Sequence, residues 1–408
     1  MTSFTKLKIE GWRQFETVDI DLSRPCVVLT GVNGSGKTTL LTLLSKHFGW
    51  NLNFVSTPLI GKRRARRAYS DFFRHVNEYG ETASGKQIYF GQINYANEGV
   101  CKLWSNVEVG SNYQPNYDGL QPVEGLYIPS HRPAAIFSQV QTIPTNPVEV
   151  TQLYQQYFSL LSQSLMGQSN RQSNPALKLK ESIIALAVFG EDSSYVDANP
   201  AYVGLVQKFE TVLQAMLPED LGFRELRIRT PDIVLRTDSG EFSIDSMSGG
   251  VNALFNIAWQ IFVFSIGKSE FVISIDEPEN HLHPAMQKTL LPNLVKAFPA
   301  AKFVLATHSP FIVSSYREAS IVSLQRAGSG KIYSENLDIA DISGTPDVIL
   351  RDVLQVDSNL PLWVESAISQ LLDSSKDMEA EQRGEFLLKE LASLGIGDAI
   401  LSYGGKNK

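Results

Sequence analysis

Residues Gly31–Thr38 read GVNGSGKT, and no other stretch constrains the chain as strongly. The run fits G-x-x-x-x-G-K-[S/T] and stands between an apolar stretch, Pro25–Thr30, and the periodic leucines Leu40, Leu41, Leu43 and Leu44. An apolar run before it and a helical period after it predict strand, turn and helix. In that setting the glycines let backbone N–H groups wrap phosphates, helped by the dipole of the helix that the loop opens. Lys37 is expected to reach the β- and γ-phosphates and the Thr38 hydroxyl to ligate Mg²⁺. The bland alternative is a glycine-rich turn that binds nothing, and the flanking elements argue against it. By itself the loop says only "nucleotide", because GTPases, kinases and motors share it.

Three further segments narrow the choice. FVISIDEPENHLHP, Phe271–Pro284, ends an apolar strand in Asp276 and Glu277, and charge at such a place is costly unless a cation waits beside it. Asp276 is expected to hold the Mg²⁺ shell and Glu277 to polarise the attacking water; a pair of solvated strand-end acids is the alternative. Glu279, His281 and His283 also raise a metal site, although loop histidines beside a subunit contact explain them more simply. SMSGGVNALFNIAWQIF, Ser246–Phe262, opens an apolar helix with Ser248, Gly249 and Gly250. That helix start is either a second anion site, used in trans because the chain's own γ-phosphate is already served, or simply a capped core helix. KFVLATHSP, Lys302–Pro310, ends a buried strand in Thr307, His308 and Ser309, where an imidazole can contact a γ-phosphate and the attacking water. Alone, His308 reads more readily as a structural histidine. The order of all four, Lys37, Ser248, Asp276, His308, decides in favour of chemistry, since RecA-type ATPases, GTPases and kinases arrange these parts differently.

Composition excludes several classes. A net charge of −7 argues against a chain that coats nucleic acid or membrane with its whole surface. Cys26 and Cys101 cannot build a disulfide framework or a cysteine-rich zinc site. The longest oily stretch, Ala253–Ile266, is broken by Asn256 and Gln260 and is too short to span a bilayer. The opening MTSFTKLKIEGW lacks the apolar core of a signal peptide, so a cytoplasmic location without membrane contact is expected.

Strands are expected at Leu7–Phe15, Val18–Leu22 and from about Lys86 to Val109, with a helical middle over Val148–Leu217 that includes a Gln/Ser-rich stretch, Tyr154–Ser173. The expected fold class is α/β: a mixed sheet with a P-loop core, an antiparallel β lobe and a helical insertion over 148–217. Residues 1–335 form the head, and 336–408 a short helical C-terminal tail. In the tail, Val364, Ile368, Leu371 and Leu372, and then Leu387, Leu391 and Leu394, follow helical spacing, with Gly395 and Gly397 placed to stop the second helix. Each stripe must bury against something: the chain's own core, or an effector that docks there.

The motif set resembles the ABC-type ATPase heads of the SMC, RecF and OLD group over roughly residues 4–325, through KLKIEGWRQFETVDIDL, IDEPENHLHP and ATHSPFIVSS. Among relatives it is most similar to ATPase subunits of bacterial anti-phage defence systems such as Septu and certain retrons. The resemblance implies two heads sandwiching two ATPs, with Gly31–Thr39 binding nucleotide, Asp276 holding Mg²⁺, Glu277 as catalytic base and His308 as switch. Ser248 and Gly250 then contact the γ-phosphate held by the opposite subunit. It implies a homodimer or higher oligomer that hydrolyses ATP and regulates a separately encoded effector, often a nuclease; a DNA-repair head binding DNA directly is the alternative.

Departures limit what carries over. Val251 stands where a Glu or Gln commonly follows the signature glycines. No Q-loop is obvious, with Gln92 and the pair His131–Arg132 as candidates. No long heptad run supplies coiled-coil arms. WVES, Trp363–Ser366, faintly resembles the start of an OLD-type nuclease domain, but no later paired-acid motif supports one, and the N-terminal strands do not suit a transporter subunit. Lys62, Arg63, Arg64, Arg66 and Arg67, beside Tyr69, Phe72, Phe73 and Arg74, either grip nucleic-acid phosphates or form a solvated loop paired with surplus acids.

Overall fold

The computed structural model describes residues 2–59, 68–72, 86–131, 139–143, 150–165, 174–230, 232–338, 343–354, 361–376 and 378–394. The basic cluster Lys62, Arg63, Arg64, Arg66 and Arg67, together with Phe73, Arg74, Arg132, Gly395 and Gly397, lies outside them.

Eleven strands form one mixed sheet. In chain order they are β1 Phe4–Glu10, β2 Phe15–Asp21, β3 Cys26–Thr30, β4 Gln87–Tyr95, β5 Val100–Asn106, β6 Asn116–Asp118, β7 Gly125–Ile128, β8 Phe271–Asp276, β9 Ala301–Ala306, β10 Ser320–Arg326 and β11 Ile332–Leu337. Their order across the sheet is β6-β5-β4-β1-β2-β11-β10-β3-β9-β8-β7. From β10 to β7 all neighbours are parallel; from β6 to β2 all are antiparallel. Strand β11 joins the halves, antiparallel to β10 and parallel to β2.

Parallel strands need cover on both faces, and the side-chain alternation supplies it. Cys26 and Val28 of β3, Ile273 and Ile275 of β8, and Phe303 and Leu305 of β9 enter one core. Val27, Leu29, Val272, Val304 and Ala306 enter the other, with the leucines of helix α1, Lys37–Ser45. The first core is roofed by the expected helical middle, which resolves into α2 Val150–Leu165, α3 Pro175–Phe189 and α4 Leu205–Met216. Beside them runs α5, Gly249–Ser265, apolar except for the line Asn252, Asn256 and Gln260 and buried along most of its length. A small antiparallel sheet, Phe223–Arg229, Asp232–Thr237 and Gly240–Ser243, leads into α5. Helix α6, Pro284–Ala297, follows β8.

The sequence-based strand limits at the N-terminus shift by a few residues. Gly11 and Arg13 both adopt positive φ, so the chain turns between β1 and β2 where a strand to Phe15 was expected. The tail holds Pro346–Asp352, Leu362–Ser374 and Ala380–Ser393, one short helix more than expected. Val364, Ile368 and Leu391 bury against each other in a cluster separate from the two large cores. The hairpin is thus its own small core, and Leu362 (80 % exposed), Trp363 (61 %) and Leu388 (60 %) face solvent.

At the end of α1, His47 is buried, with Nε2 2.8 Å from the Tyr95 hydroxyl and Nδ1 3.1 Å from the Leu44 carbonyl oxygen. Burial pushes its pKa from 6.5 down to about 4. The unfolded chain takes up the proton that the folded site refuses, so stability is present above 6.5 and lost as pH falls toward 4. We expect the stability advantage of wild type over His47→Gln to shrink by about 3 kcal/mol across that window, at ~1.4 kcal/mol per pKa unit. Urea unfolding of both proteins at each pH measures it; an advantage that does not shrink refutes the assignment.

Candidate functional site

The parallel pairing brings the expected motifs to one edge. Asp276 at the end of β8 is in register with Ala306 of β9, and Ala306 with Leu29 of β3. Three carboxyl strand ends therefore lie side by side, where open α/β sheets bind ligands.

The loop after β3 adopts a conformation only glycine holds without strain: Gly31 has φ 141°, Gly34 78° and Gly36 100°. Lys37 folds back and donates to the carbonyl oxygens of Gly31 at 2.7 Å and Val32 at 3.2 Å. Burial lowers the Lys37 pKa, opposed by the nearby charges of Glu277, Asp276 and Glu279. A cleft of about 190 Å³ is lined by Gln14, Asn33, Gly34, Gly36, Lys37, Thr38, Thr39 and Glu277. Gln14 is the residue sequence reading missed. It sits in the turn between β1 and β2, and a Cβ on Gly36 would lie 2.5 Å from its Nε2. The motif GWRQF carried it, but nothing local says that this turn meets the phosphate loop.

Thr38 Oγ1 donates to Asp276 Oδ2 at 2.8 Å. The other carboxylate oxygen, Asp276 Oδ1, is buried without a hydrogen-bond partner among the described residues, as is Ser35 Oγ. Burial raises the Asp276 pKa to about 6; the Thr38 bond and Lys37 oppose this, while the charge of Glu277 adds to it. A hydroxyl and a carboxylate with a spare buried oxygen fit a hard divalent cation such as Mg²⁺.

Glu277 has φ 46°, a left-handed conformation rare outside glycine, and its N–H donates to the Ala306 carbonyl at 2.8 Å. The turn aims its carboxylate into the phosphate-loop cleft. Asn280 Nδ2 donates to Glu277 Oε2 at 3.2 Å and to the Ser130 carbonyl at 3.3 Å, tying the acid to the segment after β7. His308 follows β9, its side chain 46 % exposed, with Nδ1 3.3 Å from Glu279 Oε1 and 3.8 Å from Glu277 Oε1. Glu279 turns inward: its Oε1 accepts from Thr307 Oγ1 at 2.7 Å and from the His308 N–H at 2.9 Å. Two of the three residues raised as metal ligands have other partners here. Glu279 serves the β9 end, His283 caps α6 by accepting from the Ala285 N–H, and no cluster of three His, Cys, Asp or Glu able to hold a metal occurs among the described residues.

Ser248 opens α5 as expected, but its side chain makes no capping bond and is exposed. A Cβ on Gly250 would lie 3.1 Å from Met286 Sδ and 3.2 Å from the His281 carbonyl oxygen, so the helix start packs closely on the loop after Glu277. Gly249 lines a different cavity, about 370 Å³, together with His281, Asn252, Asp245 and Lys180. Of the two Q-loop candidates, Gln92 is misplaced. It lies on β4, paired with Lys8 and Lys102 in the antiparallel half, and its side chain donates to Asn94. His131 directly follows Ser130, whose carbonyl Asn280 contacts.

The fold is a mixed α/β sheet with a glycine-rich loop and strand-end acids gathered at one edge, consistent with the ABC-type ATPase head expected from the motifs. Residues 6–87 match the family "AAA domain", and residues 170–314 match "AAA domain, putative AbiEii toxin, Type IV TA system". The chain is similar to Septu protein PtuA of Bacillus thuringiensis, 25% identical over 191 residues, 43% of this chain and 48% of that one. It is also similar to the Retron Vc95 probable ATPase of Vibrio cholerae serotype O1 biovar El Tor, 27% identical over 149 residues, 31% of this chain and 29% of that one. The match thus spans about half the length of the first relative and under a third of the second. Both come from the two systems that the motif resemblance names. Among solved structures, the SMC head domain from Thermotoga maritima is 12% identical with a TM-score of 0.40, covering 82% of this chain and 99% of that one. No helix among the described residues is long and apolar enough to cross a membrane.

Proposed function

We propose that the chain is a Mg-ATP-binding and hydrolysing ABC-type ATPase that works as a head-to-tail homodimer. The observation carrying this reading is the separation of two anion sites. Lys37, Thr38 and Glu277 line one cleft, with Asp276 accepting a bond from Thr38 behind it, whereas Gly249 at the Ser248 helix start borders another cavity. A helix start with an exposed, uncapped Ser248, an open Gly249 and a closely packed Gly250 is complementary to the phosphates of a second chain.

In this assignment the N–H groups of Gly31–Thr39 and the Lys37 ammonium bind the phosphates, and Gln14 lies against them from the β1–β2 turn. Thr38 and Asp276 would hold Mg²⁺, which when bound neutralises developing charge on the β- and γ-phosphate oxygens. Glu277, oriented by Asn280, takes a proton from the attacking water as the γ-phosphoryl bond breaks. Glu279 holds Thr307 and the His308 backbone, so the imidazole Nδ1 stands 3.8 Å from Glu277 Oε1. Ser248, Gly249 and Gly250 complete the site from the partner subunit.

The likeness to a Septu protein and a retron ATPase supports a role in anti-phage defence, with ATP turnover regulating a separately encoded effector. The tail hairpin, self-packed yet presenting Leu362, Trp363 and Leu388, is the surface we assign to that effector.

The composite site is tested by mixing two inactive chains, Lys37→Ala and Ser248→Arg. The mixed dimer contains one whole site, so ATP turnover is expected to return where each parent has none. Phosphate release from a mixture as silent as its parents, under conditions where subunits demonstrably exchange, rejects the trans arrangement.

A further inference from the structure

Beyond the motifs, the chain buries a cation that the mechanism does not use. Lys180 lies in the middle of α3 and is 2 % exposed. Its ammonium donates to Asp232 Oδ1 at 2.9 Å and to Asp245 Oδ2. Asp232 begins the middle strand of the small sheet, and Asp245 sits in the turn Ile244–Ser246. Only Ser246 and Met247 separate Asp245 from Ser248. Lys180 therefore ties the helical insertion to the segment that carries the anion-binding helix start. Both carboxylates are largely withdrawn from water, at 22% and 14% side-chain exposure, so neither is easily left unpaired.

We infer that Lys180 is a positioning residue for the Ser248 helix start, fixing the signature loop against the insertion so that it meets the partner's nucleotide. The inference rests on the composite-site reading above. Without the ammonium, two carboxylates face each other in a low-dielectric pocket and repel. Asp245 stands on a short turn, whereas Asp232 is held in a strand ladder, so a displacement of Asp245 is passed on to Met247 and Ser248. The Lys37 cleft shares no lining residue with the cavity that Lys180 borders and keeps its own contacts.

The side on which Lys180 acts can be read from mixed dimers. Lys180→Met alone is expected to lower turnover about 100-fold, the cost of misplacing a reacting constellation by about an ångström. Mixed with Lys37→Ala, it supplies a sound phosphate loop to a sound Ser248 loop, and turnover returns. Mixed with Ser248→Arg, it has no sound Ser248 loop to use, and turnover stays lost. Lys180→Arg keeps the charge and is expected to retain activity. The opposite pattern, or silence in both mixtures while the Lys37→Ala with Ser248→Arg control is active, overturns the inference alone. A silent control overturns the composite site and this inference with it. Should Lys180→Met not fold, Asp245→Asn decides the matter, because it loosens the same turn while leaving Lys180 paired with Asp232. It must reproduce the same rescue by Lys37→Ala and not by Ser248→Arg; any other pattern rejects the role.

Discussion

Glu277→Gln is expected to slow phosphate release about 10²- to 10⁴-fold, the usual size of a general-base contribution, while leaving Mg-ATP binding intact. The substitution changes little except the ability to accept a proton. Glutamine has the same length, and the left-handed backbone at position 277 is held by its N–H bond to Ala306, which the side chain does not touch. Lys37, Thr38 and Asp276, which we assign to phosphate and cation, are unaltered. The variant should therefore bind nucleotide and accumulate as an ATP-bound closed dimer. Single-turnover phosphate release with parallel equilibrium nucleotide binding separates the two steps. Undiminished turnover removes Glu277 from the base role; lost binding shows that the acid shapes the cleft instead.

The parts of the site that were legible in the sequence are those whose chemistry is written within a few residues. Gly31–Thr38 announces itself by glycine spacing between an apolar run and a helical period. Asp276, Glu277 and His308 do so by standing at the ends of buried strands, where a polar residue needs a reason. The mixed sheet followed from the same patterns, since doubly covered strands such as Cys26–Thr30 and Phe271–Asp276 are apolar throughout.

What was illegible is pairing over distance. Nothing around Glu279 in the sequence names its partners, because Thr307 and His308 lie 28 and 29 positions away on another strand end. Lys180 meets Asp245 across 65 positions and reads locally as an ordinary helical lysine. Gln92 looked suitable as a Q-loop because it ends an apparent strand, but register places β4 in the antiparallel half, away from the phosphate loop. Gln14 was passed over for the converse reason: its turn reaches Gly36 only once β2 has been placed in the sheet. Register and strand order, set by the whole core, decided each of these cases.

The close approach of that turn makes Gly36 the position where the smallest substitution should have one of the largest effects. A Cβ on Gly36 would fall 2.4 Å from Phe15 Cζ and 2.6 Å from Phe15 Cε1. Gln14 could swing aside, being half-buried at the cleft edge, but Phe15 cannot. It is fully buried in the second core and stacks on Trp12 at 6.3 Å between ring centroids. The backbone adds a second penalty, because Gly36 has φ 100°, outside what an alanine adopts comfortably. Overpacking of about 1–3 kcal/mol and backbone strain of about 1–3 kcal/mol act on the same residue. The phosphate loop can relieve both only by leaving the conformation that directs its N–H groups inward. Gly36→Ala is therefore expected to weaken ATP binding about 100-fold, since ~1.4 kcal/mol corresponds to tenfold. The chain should remain folded, because the strain has a local outlet in the loop. Titration of a fluorescent ATP analogue, with thermal melting of the nucleotide-free protein alongside, measures both quantities. An alanine variant that binds nucleotide like the wild type means that the β1–β2 turn yields to the new methyl group, and Gln14 and Phe15 then play no part in shaping the phosphate loop.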